Sequence, residues 1–421
     1  MRSLPAYIDP GTGSMLFTIL IGILGTGAWL LRDVFNKMKV SLSRDAKSRA
    51  AQEAAAPFVI FSDSKRYWNQ FGPICAEFEK RQIPLEYLTM SPDDPALSAK
   101  FQFVKCRFIG EGNKAFSVLN YLKADVLLAT TPGLDVYQWK RSKGVKYYAH
   151  ICHMASDPST YRMFGLDYYD AVLLSGEYQA RQIRQLEEKR KLPAKELAFV
   201  GVPYLDAMLE RLQTAEPLPP HPLTVLVAPS WGPSSLLGHF GGRIIRALLE
   251  TGYHIVVRPH PQSFTAEKEM LEKLMKEFPE SEQLEWNRDN DNFEILRRAD
   301  VMISDFSGVI LDYALVFQKP VIYADTDFDR APYDAAWLEE ELWTFQVLPR
   351  IGHVLKEEDL EKIGPLIREV TQLPSYKEEA RKARAESWMY IGEAAARTAD
   401  WLIRKREELL KETEKDGAAQ A

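Results

Sequence analysis

Past residue 56 the chain alternates short, nearly unbroken apolar runs with stretches in which apolar residues return every three to four positions. The runs predict buried strands and the periodic stretches predict amphipathic helices. Strands are expected at 57–62 (PFVIFS), 84–89 (PLEYLT), 125–130 (DVLLAT), 145–150 (VKYYAH), 171–175 (AVLLS) and 196–201 (ELAFVG). TAEPLPPHPL at 214–223, with four prolines, reads as a linker. A second series follows at 224–229 (TVLVAP), 254–259 (HIVVRP), 284–286, 300–304 (DVMIS) and 320–324 (PVIYA), with helices near Phe240–Glu250 and Glu267–Phe278. Such alternation implies mostly parallel sheets covered on both faces. The expected fold is α/β, with two facing doubly wound, Rossmann-like domains at 57–213 and 224–355. Residues 356–421 read as C-terminal helices and a frayed tail. At 421 residues the chain exceeds one ordinary core, in keeping with two domains.

The first 56 residues follow another pattern. From Pro10 to Leu31 no charge interrupts 22 positions, enough to cross a hydrocarbon core of roughly 30 Å as a helix. Arg32, Lys37, Lys39, Arg44, Lys47 and Arg49 follow it, against only Arg2 before it, so a single N-terminal transmembrane helix with a charged stalk is expected, the domains facing the cytoplasm. A cleaved signal peptide is the competing reading. It fits less well, because the basic residues come after the apolar run and no clear A-x-A site closes it.

A net charge of -6 argues against a nucleic-acid partner, since phosphate backbones select basic surfaces. Three scattered cysteines make neither a disulfide framework nor a zinc ribbon. The P-loop, nucleophile-elbow and dinucleotide fingerprints are all missing. DTDFDR at 325–330 lacks the glycine and the later glutamate of a calcium loop, and no metal is expected.

In doubly wound sheets ligands sit beyond the carboxyl ends of the strands, so candidate chemistry is sought there. In MISDFSGVILDYALVFQKPVIY, Ser304, Asp305, Ser307 and Gly308 fall between a strand end and a helix start, where an anion is attracted; alternatively Ser304 or Asp305 only caps the helix. RPHP places Arg258 and His260 at another strand end, suited to a phosphate, or else to a surface ion pair and a structural loop histidine. Ser230 follows a third strand. AHICHM offers His150 and His153 as a general base with a pKa near the ordinary value of about 6.5, the rival being a satisfied core histidine. A metal site there is disfavoured, because neighbours on a strand point to opposite faces.

Together VLVAPSW, VVRPHP and ISDFSGVILDYALVFQKPVIY resemble the C-terminal half of the CDP-glycerol glycerophosphotransferase family, the teichoic-acid polymerases and primases of bacterial envelopes. AHICHMAS sits where that family carries His-Gly-x-Pro, and GVPYLDAML resembles its Gly-x-Pro-Arg-x-Asp segment. Met154, Gly308 and Tyr204 depart from the pattern, standing for a glycine, a second serine and an arginine. The resemblance implies a GT-B fold, a CDP-glycerol or related CDP-polyol donor, and a lipid-linked or glycan acceptor at the membrane, with no cofactor. It implies His153 as the acceptor-side base, with His260 the second catalytic candidate. Arg258, His260, Ser304, Ser307 and Gly308 would hold the pyrophosphate, Asp305 lying among them, and Asp312 would bind the ribose. His150 and Ser230 are the less favoured candidates. Competing readings are a nucleotide-sugar glycosyltransferase and an inactive membrane-tethered scaffold.

Overall fold

The structure is a computed structural model that describes residues 55–289 and 291–420. The expected membrane span and almost all of the stalk lie outside the described residues. Among the described residues no helix is long and apolar enough to cross a membrane.

Among the described residues thirteen strands form two wholly parallel sheets. The first contains β1 (Ala56–Ser62), β2 (Leu85–Thr89), β3 (Val104–Phe108), β4 (Lys123–Ala129), β5 (Gly144–Ile151), β6 (Ala171–Leu174) and β7 (Glu196–Phe199), in the order β3-β2-β1-β4-β5-β6-β7. The second contains β8 (Thr224–Val227), β9 (His254–Val257), β10 (Leu284–Trp286), β11 (Val301–Ser304), β12 (Val321–Ala324) and β13 (Gly352–Leu355), in the order β10-β9-β8-β11-β12-β13. Each order reverses once, between β1 and β4 and between β8 and β11. Those are the points where a doubly wound sheet opens a crevice.

Period-two alternation divides each strand between two buried faces. Val59, Phe61 and Leu127 lie in one apolar cluster of the first sheet, and Phe58, Ile60 and Leu128 in the other. In the second sheet Val225, Val227 and Ile303 face one way, while Leu226, Val256 and Met302 face the other. This last cluster also takes in Ala155, Tyr178, Val202, Leu205 and Met208 from the first domain, so the two domains share a core.

The helix expected after β11 is not one regular α-helix. A short α-helix, Gly308–Asp312, runs into a π-helical turn, Tyr313–Phe317, and Gln318 at φ 51° ends it. Ile310, Tyr313, Ala314 and Phe317, at the i, i+3, i+4 and i+7 spacing of one helical face, are buried, but so are Leu311, Leu315 and Val316. An element that is apolar all round sinks into the core instead of lying on it.

The C-terminal residues return to the first domain. Helix Pro374–Ser387 leads to a crossing, and helix Ala394–Gln420 then packs Ala399, Trp401 and Leu402 against the Phe58 and Ile60 face of the first sheet. Asp206 secures the crossing by accepting hydrogen bonds from the Trp388 indole (2.9 Å), the Gly392 N–H (2.8 Å) and the Ala394 N–H (2.9 Å). The aspartate of the GVPYLD segment thus caps the final helix.

Candidate active site

A cleft enclosing about 300 Å³ separates the carboxyl ends of the two sheets. Arg66, Tyr67, His153, Met154 and Tyr204 line it from the first domain, and Arg258, His260, Ser307, Gly308 and Asp312 from the second.

His153 follows β5 and is half-buried against the Tyr67 ring, 4.9 Å between centroids. Thr130, directly after β4, donates its hydroxyl proton to the Ile151 carbonyl (2.8 Å). Its oxygen is therefore an acceptor towards His153 Nδ1, also 2.8 Å away. A hydroxyl has one proton to give, so Nδ1 carries the ring hydrogen and Nε2 keeps its lone pair. Burial lowers the pKa of His153 to about 4, in place of the expected value near 6.5. The ring is neutral at pH 7 and basic at Nε2.

His260 has the opposite arrangement. The Gln262 N–H donates to its Nδ1 (3.1 Å), so Nε2 bears the proton. Burial, with the Arg66 charge nearby, lowers this pKa also to about 4. His260 is thus a neutral donor. Beside it Arg258 is held by the Asn287 side chain and the Asp289 carbonyl (2.8 Å), both beyond β10.

Asp312 is 9% exposed, and burial pushes its pKa up to about 7. The Tyr204 hydroxyl beside it donates to Asn292 (3.1 Å) and so links the domains. Ser307 spends its N–H on Asp305 (2.9 Å). Ser307 is the N-cap of the short helix Gly308–Asp312, whose dipole is small beside the full charges of the guanidinium groups in the cleft. A Cβ added at Gly308 would stand 2.9 Å from Met154 Sδ, so these two departures from the family pattern touch across the cleft.

Four of the expected site residues do not line the cleft. His150 lies within β5, fully buried, with Nε2 3.2 Å from the Tyr161 hydroxyl and its ring between Tyr161 and Tyr169. Burial drives its pKa well below the ordinary histidine value, and it is a core residue. Ser304 is buried and donates to the Ala228 carbonyl (2.6 Å). Asp305, also buried, accepts N–H groups from Ser230 (3.0 Å), Leu236 (2.7 Å) and Ser307 (2.9 Å). Ser304, Asp305 and Ser230 therefore tie the loops after β8 and β11 together behind the cleft wall. Arg66, Tyr67, Gln70 and Asn292 line the cleft without having been expected there. Arg66 and Tyr67 follow β1, so the strand-end rule, applied to β1 as well, points to them.

The profile of the family described as CDP-Glycerol:Poly(glycerophosphate) glycerophosphotransferase matches residues 162–391, just over half of the chain. The match takes in the second sheet, with Arg258, His260 and Asp312, and starts after His153. Among solved structures the chain is similar to a UDP-GlcNAc 2-epimerase of Methanocaldococcus jannaschii in complex with UDP-GlcNAc and UDP. The identity is 13%, over 83% of this chain and 99% of that one, with a TM-score of 0.53. It is also similar to a UDP-N-acetylglucosamine 2-epimerase from Rickettsia bellii (12%, 84% and 96%, 0.52) and to a glycosyltransferase from Rickettsia africae ESF-5 (10%, 85% and 100%, 0.50). No curated protein matches the chain. At these identities the structural likeness establishes the fold, two Rossmann-like domains in the GT-B arrangement. The chain belongs to the CDP-glycerol:poly(glycerophosphate) glycerophosphotransferase family and is a transferase.

Proposed function

We propose that the protein transfers a polyol phosphate, glycerol phosphate foremost, from a CDP-linked donor to an acceptor hydroxyl in the synthesis of a teichoic-acid-like envelope polymer. The observation that carries this is the pair of complementary tautomers on opposite walls of one cleft. His153 presents a lone pair, and His260 presents an N–H beside Arg258.

In this reading the acceptor hydroxyl gives its proton to His153 Nε2 as its oxygen attacks the donor's β-phosphorus. The bond from that phosphorus to the bridging oxygen breaks, and cytidine monophosphate leaves with the electron pair. His260 and Arg258 hold the charge on the phosphoryl oxygens, and Asp312 accepts the ribose hydroxyls. Such transfer rests mainly on positioning and charge stabilisation, and the reading assigns no cofactor.

Calorimetry on the full-length chain should show CDP-glycerol binding in preference to UDP-sugars, with cytidine monophosphate released on turnover. His153→Ala should slow release by about 10²- to 10⁴-fold and leave CDP affinity near that of the wild type. Binding of UDP-sugars alone would turn the assignment towards a glycosyltransferase.

We also infer that the uncharged N-terminal run anchors the enzyme with its domains in the cytoplasm. Protease added to sealed right-side-out vesicles should then spare everything after Arg49. Digestion of that region would reverse the topology.

A further inference from the structure

Arg66 differs from the other cations around the cleft. It stands in the 3-10 turn Lys65–Tyr67 directly after β1, at the point where the first sheet's order reverses. Its neighbour Lys65 is paired with Asp93, and Arg258 is held by Asn287 and the Asp289 carbonyl. Among the described residues the exposed Arg66 side chain has no ion pair and no hydrogen bond; only its backbone N–H is engaged, on Ser64.

The Arg66 charge nevertheless bears on Arg258 and His260 across the cleft and disfavours a further positive charge on each. Two acids line this region. Asp291 is paired with Arg211 (2.6 Å), and Asp312 lies beside Tyr204. Asp289 and Asp291 offset part of the charge on Arg258, and Asp63 part of that on Arg66, but the two guanidinium groups still oppose each other across the cleft, and an anion placed between them removes that cost. Arg66 also shares its wall with the base, because the ring of the next residue, Tyr67, packs on His153.

We propose that Arg66 is the first domain's ligand to the donor's β-phosphate, acting from the wall opposite Arg258. This rests on the donor reading given above. The β-phosphate is the group under attack from the His153 side, so a guanidinium on that wall meets its oxygens as the new bond forms. A bidentate contact of this kind is charge-assisted and selective for phosphoryl oxygens.

Cytidine diphosphate and monophosphate differ by that one phosphate, and calorimetry on the full-length chain with both separates the possibilities. Arg66→Ala should weaken cytidine diphosphate by about 10- to 100-fold, the loss of one charge-assisted contact, and leave the monophosphate within about twofold. Arg66→Lys should recover part of the loss, since a point charge replaces the fork. An unchanged diphosphate affinity in Arg66→Ala would overturn the proposal, as would equal losses for both ligands, which would make Arg66 a general shaper of the cleft. A wild-type chain that binds neither nucleotide sinks the donor reading and this one with it. A wild type that binds the diphosphate while Arg66→Ala matches it sinks this one alone.

Discussion

One backbone or hydroxyl contact per ring decides what His153 and His260 can do, and the nearby Asp312 decides at which pH. Both histidines are held neutral far below pH 7, so neither contributes a titration in the working range. Asp312, with its pKa raised to about 7, does. Below that value it gains a proton, one oxygen turns from acceptor to donor, and its hold on the ribose hydroxyls weakens. The donor's KM should therefore rise as pH falls from about 8 to about 6, and Asp312→Asn should flatten this limb. Initial-rate profiles of both forms check it, and a limb that survives in Asp312→Asn would place the titration elsewhere. Arg258, His260, Ser307, Gly308 and Asp312 were legible in sequence because they follow strand ends or match the family pattern. Ser304 and Asp305 occupy the same kind of position, yet a buried polar residue after a strand serves equally well as a clip. Only partners 69 to 76 positions away in the chain, Ser230, Leu236 and Ala228, decide between the two.

Among the elements, the central strands showed plainly in the hydrophobic pattern because parallel strands buried on both faces are almost wholly apolar. β3 and β13 did not. β3 alternates Lys105 and Arg107 with Val104 and Cys106, and β13 is the four residues Gly352–Leu355. Both lie at sheet edges, where charge and short length guard against further pairing, whereas the other two edge strands, β7 and β10, did show in the pattern. The helix expected near Phe240–Glu250 is likewise two, Leu236–Phe240 and Gly242–Leu249, broken at Gly241 with φ 56°. Asp206 shows the same limit for a single residue. The sequence placed it in a family segment, but its work of capping a helix that begins at Ala394 appears only once the chain has crossed both domains.

For the whole molecule, what fixes the cleft is a reciprocal exchange of buried carboxylates between the domains. Asp157 of the first domain accepts the Trp343 and Thr344 N–H groups (both 2.9 Å) at the start of helix Trp343–Ile351 in the second. Asp334 of the second domain accepts the Phe164 (2.7 Å) and Gly165 (3.1 Å) N–H groups of the first and pairs with the buried Arg190. Between them Tyr178 stacks on Trp343 at 4.4 Å. With a shared apolar core as well, the domains should unfold as one unit, in contrast to the independent behaviour of domains joined by a small polar interface. Scanning calorimetry of the full-length chain should then give a single transition for both. Asp334→Ala leaves Arg190 with only Asp167 as partner, and should cost up to about 3–5 kcal/mol, the range for breaking a buried pair. Asp157→Ala strands two helix-start N–H groups at about 1–3 kcal/mol each. Combining the two substitutions should lower the midpoint and separate the melting of the domains. Two transitions in the wild type, or a double variant that melts like it, would mean that the opposed His153 and His260 walls are set by the linker and the returning helix, not by these carboxylates.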